Sequence, residues 1–294
     1  MGKQRKRQYE EEQMHTNHGV TQSATVLPPV LFLNDACIVV NKRVGDAMEG
    51  ATPSTIDLPR LLSQNFESSR TQHGRLFMLT AVHRLDVPVT GCALFARTPD
   101  ALAFLNTCFA RAFARKIYWA VVEKPAPSAS PIPTQGELVH WIAVDGRYNK
   151  SYAHSTPGPD RKEARLRYSI RGEGDHYLFM EIELLTGRHH QIRAQLAALG
   201  LHIKGDVKYG SRRSEKGGGI RLHARRLAFP DPLAIIQTGL PIESIESVGI
   251  AESGVVTEPV ATAGMHHHEK IWPYIQVEAP VINPDSLWKA FESL

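Results

Sequence analysis

Long hydrophobic runs are missing from this chain. None approaches the roughly 18–20 apolar residues that a helix needs to cross a bilayer. Met1–Glu12 is polar and charged, so no signal peptide is expected there. Cysteine is scarce: Cys37, Cys92 and Cys108 stand far apart in apolar surroundings. That usage excludes a disulfide scaffold and points to a reducing, cytoplasmic space. Metal-ligand spacing is absent as well. Adjacent His189-His190 cannot share a helical face, and no His-Glu-x-x-His pattern occurs. His266-His267-His268 is a short internal tract followed by Glu269-Lys270 and reads as a surface loop. A metal-dependent hydrolase therefore fails on spacing, and neither metal nor membrane is expected as a partner. No internal repeat stands out.

What remains is a chain of 294 residues, 42% apolar and 22% charged, enough to bury a substantial core. The formal net charge of +4 conceals an asymmetry: residues 1–235 carry a net +10, and residues 236–294 a net −6. A basic body with an acidic end suits a polyanion partner, although solvated surface charge explains the same numbers. Three regions follow from composition. Residues 1–29 form a polar tail with a Lys3-Arg5-Lys6-Arg7 cluster, residues 30–235 carry the patterned body, and residues 236–294 form an acidic extension without a clear fold signature.

Within the body, Val30–Leu33 and Ile38–Val40 read as a hairpin turning at Asn34-Asp35. A short helix is expected over 56–62. Val82–Asp86 and Cys92–Ala96 read as strand ends around a Pro88/Gly91 turn. Thr98-Pro99-Asp100 supplies an N-cap, a first-turn proline and a first-turn acid for a helix reaching about residue 113. Ile117–Val122 is a strand, and the alternations at 164–170 and 178–184 form an antiparallel hairpin about Gly172–Asp175. An amphipathic helix is expected over 190–199, with Ile192, Leu196 and Leu199 on one face, Arg193 at its boundary and Gly200 as the stop. A terminal helix is possible over 284–294. Strands outnumber helices and follow one another directly, so the fold class is α+β, a mostly antiparallel mixed sheet with flanking helices.

Two segments concentrate chemistry. His83-Arg84-Leu85-Asp86 puts a carboxylate at the mouth of a loop, where it serves as a nucleophile or base, or merely caps the turn. Thr186-Gly187-Arg188-His189-His190-Gln191-Ile192-Arg193 packs donors around a helix start, a potential phosphate site.

With Val39-Val40-Asn41-Lys42 and Gly45, Thr90-Gly91, Lys116-Ile117-Tyr118-Trp119-Ala120, Gly200, Ile203-Lys204-Gly205-Asp206, Tyr209-Gly210 and Leu222-His223-Ala224, these segments occur in one order over about residues 30–232. In that ordered set the chain resembles the RluA-type (RluA/RsuA-like) RNA pseudouridine synthases. The resemblance implies a catalytic domain over 30–235 that isomerises uridine to pseudouridine in ribosomal or transfer RNA, without a cofactor. It implies Asp86 as the catalytic aspartate, Arg193 as the arginine paired with it, and Tyr118 as the tyrosine that stacks on the base and takes the C5 proton. Arg84 matches the residue that enters the RNA stack when the uridine flips out. Leu222 is expected on the wall of the uracil pocket, and His83, Arg188 and Gln191 among the substrate-binding residues. Departures mark a divergent subgroup: Val87-Pro88-Val89-Thr90-Gly91 where a polar pair and then Thr-Ser-Gly are usual, Arg43 where Pro is commoner, and Asp231-Pro232 in place of His-Pro. No basic helical domain of the S4 type precedes the body, so RNA is expected to be gripped by the body itself, acting as a monomer. Arg161-Lys162, Arg165, Arg167, Arg212-Arg213, Lys216 and Arg225-Arg226 are the candidates. A non-catalytic RNA-binding or chaperone protein on the same scaffold is the alternative.

Overall fold

A computed structural model describes residues 26–50, 56–66, 77–125, 131–238 and 273–294. The expectations for residues 1–25 and for His266–His268 lie outside the described residues. Strands dominate: β1 (Val30–Leu33), β2 (Cys37–Lys42), β3 (Thr80–Ala81), β4 (Thr90–Ala96), β5 (Arg115–Glu123), β6 (Gln135–Asp145), β7 (Lys150–His154), β8 (Lys162–Glu173), β9 (Tyr177–Leu184), β10 (Leu222–Pro230) and β11 (Tyr274–Glu278). Helices α1 (Leu58–Asn65), α2 (Pro99–Ala110), α3 (Gln191–Ala198), α4 (Pro232–Thr238) and α5 (Ser286–Glu292) flank them.

All the described strands join one sheet in the order β1-β2-β4-β10-β5-β9-β8-β6-β7, with β3 beside β4 and β11 beside β10. Every pairing is antiparallel except β4 with β10, where Thr90 faces His223 and Gly91 faces Ala224. The sheet is thus mixed and mostly antiparallel. Gly91 is required at the parallel junction. Its φ is +113°, and a Cβ there would lie 2.3 Å from the Ala224 carbonyl oxygen.

The middle of the sheet is covered on both faces, which explains the unbroken apolar runs of β2 and β4. Ile38, Val40, Ala93 and Phe95 join the core beneath α1 and α3, while Cys37, Val39, Cys92 and Leu94 pack with Ala101, Phe104 and Cys108 of α2. Thr98 caps α2 by accepting from the Ala101 N–H, as its sequence predicts. The three cysteines are buried and free.

Two expectations need correction. Val82–Asp86 is not a strand. β3 ends at Ala81, Val82 still donates to the Leu94 carbonyl, and then the His83 ring takes the Leu94 N–H at 3.2 Å in place of a backbone carbonyl, releasing Arg84–Val89 as a loop. The 190–199 helix is not amphipathic. Gln191, Arg193 and Gln195 are as buried as Ile192 and Leu196, because each polar side chain has partners on neighbouring strands or loops. The acidic extension docks on the body, and the terminal helix expected within 284–294 is α5. Its last described part returns as β11 on β10, and α5 lays Trp288 and Phe291 against Trp119, Val121 and Phe179.

Candidate active site

A cleft of about 1210 Å³ opens over the central strands, lined among others by Met48, Arg84, Asp86, Tyr118, Arg188, Arg193 and Leu222. Asp86 reaches it from the loop between β3 and β4. That loop is pinned from below by Lys42, which is fully buried and donates through Nζ to the carbonyls of Arg43, Val87 and Val89 at 2.8–3.1 Å. Burial lowers the Lys42 pKa to about 8 against the opposing pull of Asp46 and Asp86. The turn closes with the Val89 N–H donating to the Asp86 carbonyl at 2.9 Å.

Arg193 projects from α3 and donates through Nη1 to Asp86 Oδ2 at 2.9 Å. Its other edge is clamped by Asp206, with Nε to Oδ2 at 2.6 Å and Nη2 to Oδ1 at 2.8 Å. Asp206 is 1% exposed, whereas the Asp86 side chain keeps 27% of its surface open to the cleft. Burial opposes charge on Arg193, but the Asp206 hydrogen bonds and the two carboxylate charges outweigh it and raise its pKa. The guanidinium also lies over the Tyr209 ring, 4.8 Å from its centroid.

Tyr209 organises the next layer. Its hydroxyl accepts the Ser151 N–H at 2.8 Å and lies 2.9 Å from His190 Nδ1. With the hydroxyl proton given to Nδ1, His190 carries its own proton on Nε2, 3.6 Å from Asp86 Oδ2. Burial drives the His190 pKa down to about 4 despite the nearby Asp86 charge, so the ring is neutral at pH 7. His190 holds a left-handed backbone at φ +51° and stacks on His189 at 3.8 Å. The histidine pair is thereby committed to Tyr209, Ser151 and Asn149.

Tyr118 stands on β5 facing the same cleft, 6% exposed, and its hydroxyl has no hydrogen-bond partner among the described residues. Burial, then the Asp86 charge, raises its pKa, so it remains a phenol at neutral pH. Leu222 on β10 is buried at the cleft wall. Arg84 is at the mouth, largely exposed, ion-paired with Glu49; such an exposed pair is worth about 0–1 kcal/mol and yields readily to a phosphate.

The remaining sequence candidates also line the cleft, with polar atoms engaged by the protein. His83 stacks on Phe109 and accepts from the β4 backbone; burial, then Lys116, pushes its pKa down to about 3. Gln191 accepts from the Arg188 N–H and the Thr186 hydroxyl and donates to the Arg165 carbonyl, filling the start of α3 where a phosphate was expected. Arg188 reaches the Glu163 carbonyl through Nε while still lining the cleft. Lys42, Asp206, Tyr209 and His190 stood in the matching motifs, yet nothing in their spacing revealed that they converge on Asp86. A signal was present only in type: a Lys inside an apolar strand and an Asp between glycine turns are residues that burial tolerates only when paired.

Residues 36–198 match the model of a family described as RNA pseudouridylate synthase. An uncharacterized RNA pseudouridine synthase of Zymomonas mobilis is 28% identical over 67% of this chain and 85% of its own. A dual-specificity RNA pseudouridine synthase RluA of Vibrio vulnificus is 27% identical over 70% of this chain and 81% of its own. With other relatives the match spans less, 39% of a Chloroflexus aurantiacus RNA pseudouridine synthase. Among solved structures, human RNA pseudouridylate synthase domain containing 1 aligns with TM-score 0.55 and 22% identity, covering 68% of this chain and 78% of its own, a likeness of fold.

Proposed function

The chain belongs to the RNA pseudouridylate synthase family, RluA-type, and we propose that it isomerises particular uridines of structured ribosomal or transfer RNA, with Asp86 as its catalytic carboxylate. The observation that carries this reading is the Asp86 carboxylate, open to the cleft and held at 2.9 Å by a guanidinium that is itself clamped by buried Asp206. An anion fixed in that way is preorganised for the ribose without waiting for solvent to rearrange.

Isomerisation breaks the bond from C1′ to N1, turns the uracil and forms a bond from C1′ to C5; the C5 proton leaves and N1 acquires one. Asp86 serves this either by attacking C1′ or by taking the C2′ proton, and both need the same ionised carboxylate beside the ribose. Arg193 stabilises the carboxylate when the bond to it breaks again. Tyr118 and Leu222 sandwich the uracil. A tyrosine whose pKa is raised by burial is a poor base, which favours ring packing over removal of the C5 proton. Arg84 leaves Glu49 to occupy the gap in the RNA stack when the uridine flips out. We further propose that the protein works as a monomer in the cytoplasm, a reducing space that suits its three buried free cysteines.

The test uses RNA from cells with and without the protein, treated with a carbodiimide that marks pseudouridine and mapped by primer extension. A stop that depends on the protein identifies the target, and Asp86→Ala is expected to lose it. Full restoration by Asp86→Ala would instead favour the non-catalytic RNA-binding alternative.

A further inference from the structure

One rim of the Asp86 cleft is unused by this chemistry. It is formed where Asn149 and Lys208 line the cleft, at the tip of the β6–β7 hairpin, residues 145–150. The tip is tied down from several sides. The Asp145 carboxylate accepts from the N–H groups of Arg147 and Tyr148 at 3.0 and 3.4 Å. Lys208 Nζ donates to the Asn149 carbonyl at 3.1 Å. The Asn149 side chain meets His189 Nε2 at 3.1 Å, and its backbone is left-handed at φ +47°. A loop already held in this way loses little entropy when a ligand docks on it.

Two side chains of this fixed tip are engaged by nothing among the described residues. Tyr148 is 63% exposed, with no ring contact and no hydrogen bond to its hydroxyl. Arg147 is exposed and makes no ion pair. Lys208, whose Nζ lies 3.5 Å from the Tyr148 carbonyl oxygen, adds positive charge beside them, and the one carboxylate of the tip, Asp145, is already turned onto backbone N–H groups. A bare aromatic face among cations, at the rim of a cleft, has the composition of a single-strand RNA contact: rings stack on any base, and guanidinium and ammonium groups take phosphates.

We propose that the β6–β7 tip is a platform for the nucleotide next to the target uridine, with its base stacked on Tyr148 and its phosphate held by Arg147 and Lys208. This rests on the RNA-isomerase reading of the Asp86 cleft. Flipping the uridine strips its neighbour of a stacking partner, and a ring fixed at the rim replaces that partner without a search.

The experiment follows turnover by tritium. Total RNA from cells lacking the protein, labelled with uridine tritiated at C5, releases tritium as the base rejoins through C5. Tyr148→Ala is expected to raise KM about tenfold while kcat stays within about twofold. Tyr148→Leu, apolar without a π face, should behave like the alanine variant, and Tyr148→Phe like the parent. All three should melt with the parent, because the side chain supports no packing. An unchanged KM in Tyr148→Ala, or a phenylalanine variant as weak as alanine, overturns the platform. Parent protein that releases no tritium overturns the isomerase reading first, and the platform with it.

Discussion

At the scale of single residues, the arginine between two carboxylates decides how the cleft works. Arg193 faces Asp86 with one nitrogen and Asp206 with two, and only Asp86 is open to solvent. Asp206 is therefore the buried anchor, and Asp86 the end that faces the cleft. Asp206→Ala would leave a buried guanidinium with half its compensation, which costs about 3–5 kcal/mol for a buried pair broken on one side. The same variant frees Arg193 to rotate away from Asp86, so pseudouridine yield should fall by roughly tenfold or more in protein that is still folded. Urea unfolding and a tritium-release assay on the same preparation measure both effects. A stable, fully active Asp206→Ala protein would remove Asp206 from the site. The sequence carried Asp86, Arg193 and Tyr118 as candidates because each stood in a recognisable motif. Asp206 and Tyr209 stood there too, but their roles depend on a contact to α3 that no spacing along the chain encodes.

At the scale of elements, the junction of β4 and β10 positions the loop that carries Asp86, and it depends on the absence of a side chain. Gly91→Ala forces a Cβ to within 2.3 Å of the Ala224 carbonyl oxygen, in a backbone conformation that alanine avoids. Both strands must separate, and a loss of about 3 kcal/mol or more is expected in denaturant unfolding; a loss below about 0.5 kcal/mol would mean that the junction yields easily. The same region holds two histidines as neutral hydrogen-bonding parts of the sheet. His83 accepts from Leu94, and His223 bridges the Thr90 hydroxyl and the Ala279 carbonyl. Burial lowers their pKa values to about 3 and about 4, from an ordinary 6.5. Both folded values lie below the unfolded one, so the unfolded chain takes up protons first as the pH falls. Their stabilisation is complete above about pH 6.5 and is lost progressively toward pH 4, at up to about 1.4 kcal/mol per histidine per pH unit. Thermal melts between pH 7.5 and 4.5 should show the decline, and a melting temperature flat across that range would contradict it. Strands β4, β5, β8 and β9 and helix α2 were legible from alternation and capping. The loop after β3 was not, because a histidine side chain ends the ladder where the apolar pattern continues, and neither was the burial of α3, whose glutamines and arginine are satisfied by distant strands and loops.

At the scale of the molecule, charge is rearranged by folding. Arg165 and Arg167 share Glu137, and Arg225 and Arg226 share Glu278. These arginines, expected to face RNA, are thus partly committed, and two of them to a residue of the acidic extension. Arg221 likewise pairs with Asp285 at the start of α5. The extension neutralises one flank of the basic body and adds an apolar clasp, with Ile275, Val277, Trp288 and Phe291 all buried. At about 1.5–3 kcal/mol for each such side chain, the clasp is comparable with the 5–15 kcal/mol by which a domain is stable. A chain ending before Pro273 should melt about 10 °C or more lower, or fail to stay soluble; an unchanged melting temperature would show the clasp to be dispensable. The sequence alone determined the strand-rich class, the order of the motifs, the likeness to RNA pseudouridine synthases and the identity of the candidate carboxylate, since each depends on residue types and local spacing. Only the tertiary structure decided which groups hold that carboxylate, where the described part of the acidic end docks and which arginines it pairs with carboxylates. Those outcomes depend on contacts between residues up to more than a hundred positions apart, such as Asp86 with Arg193, and long-range pairing of buried charges leaves no periodic trace along a chain.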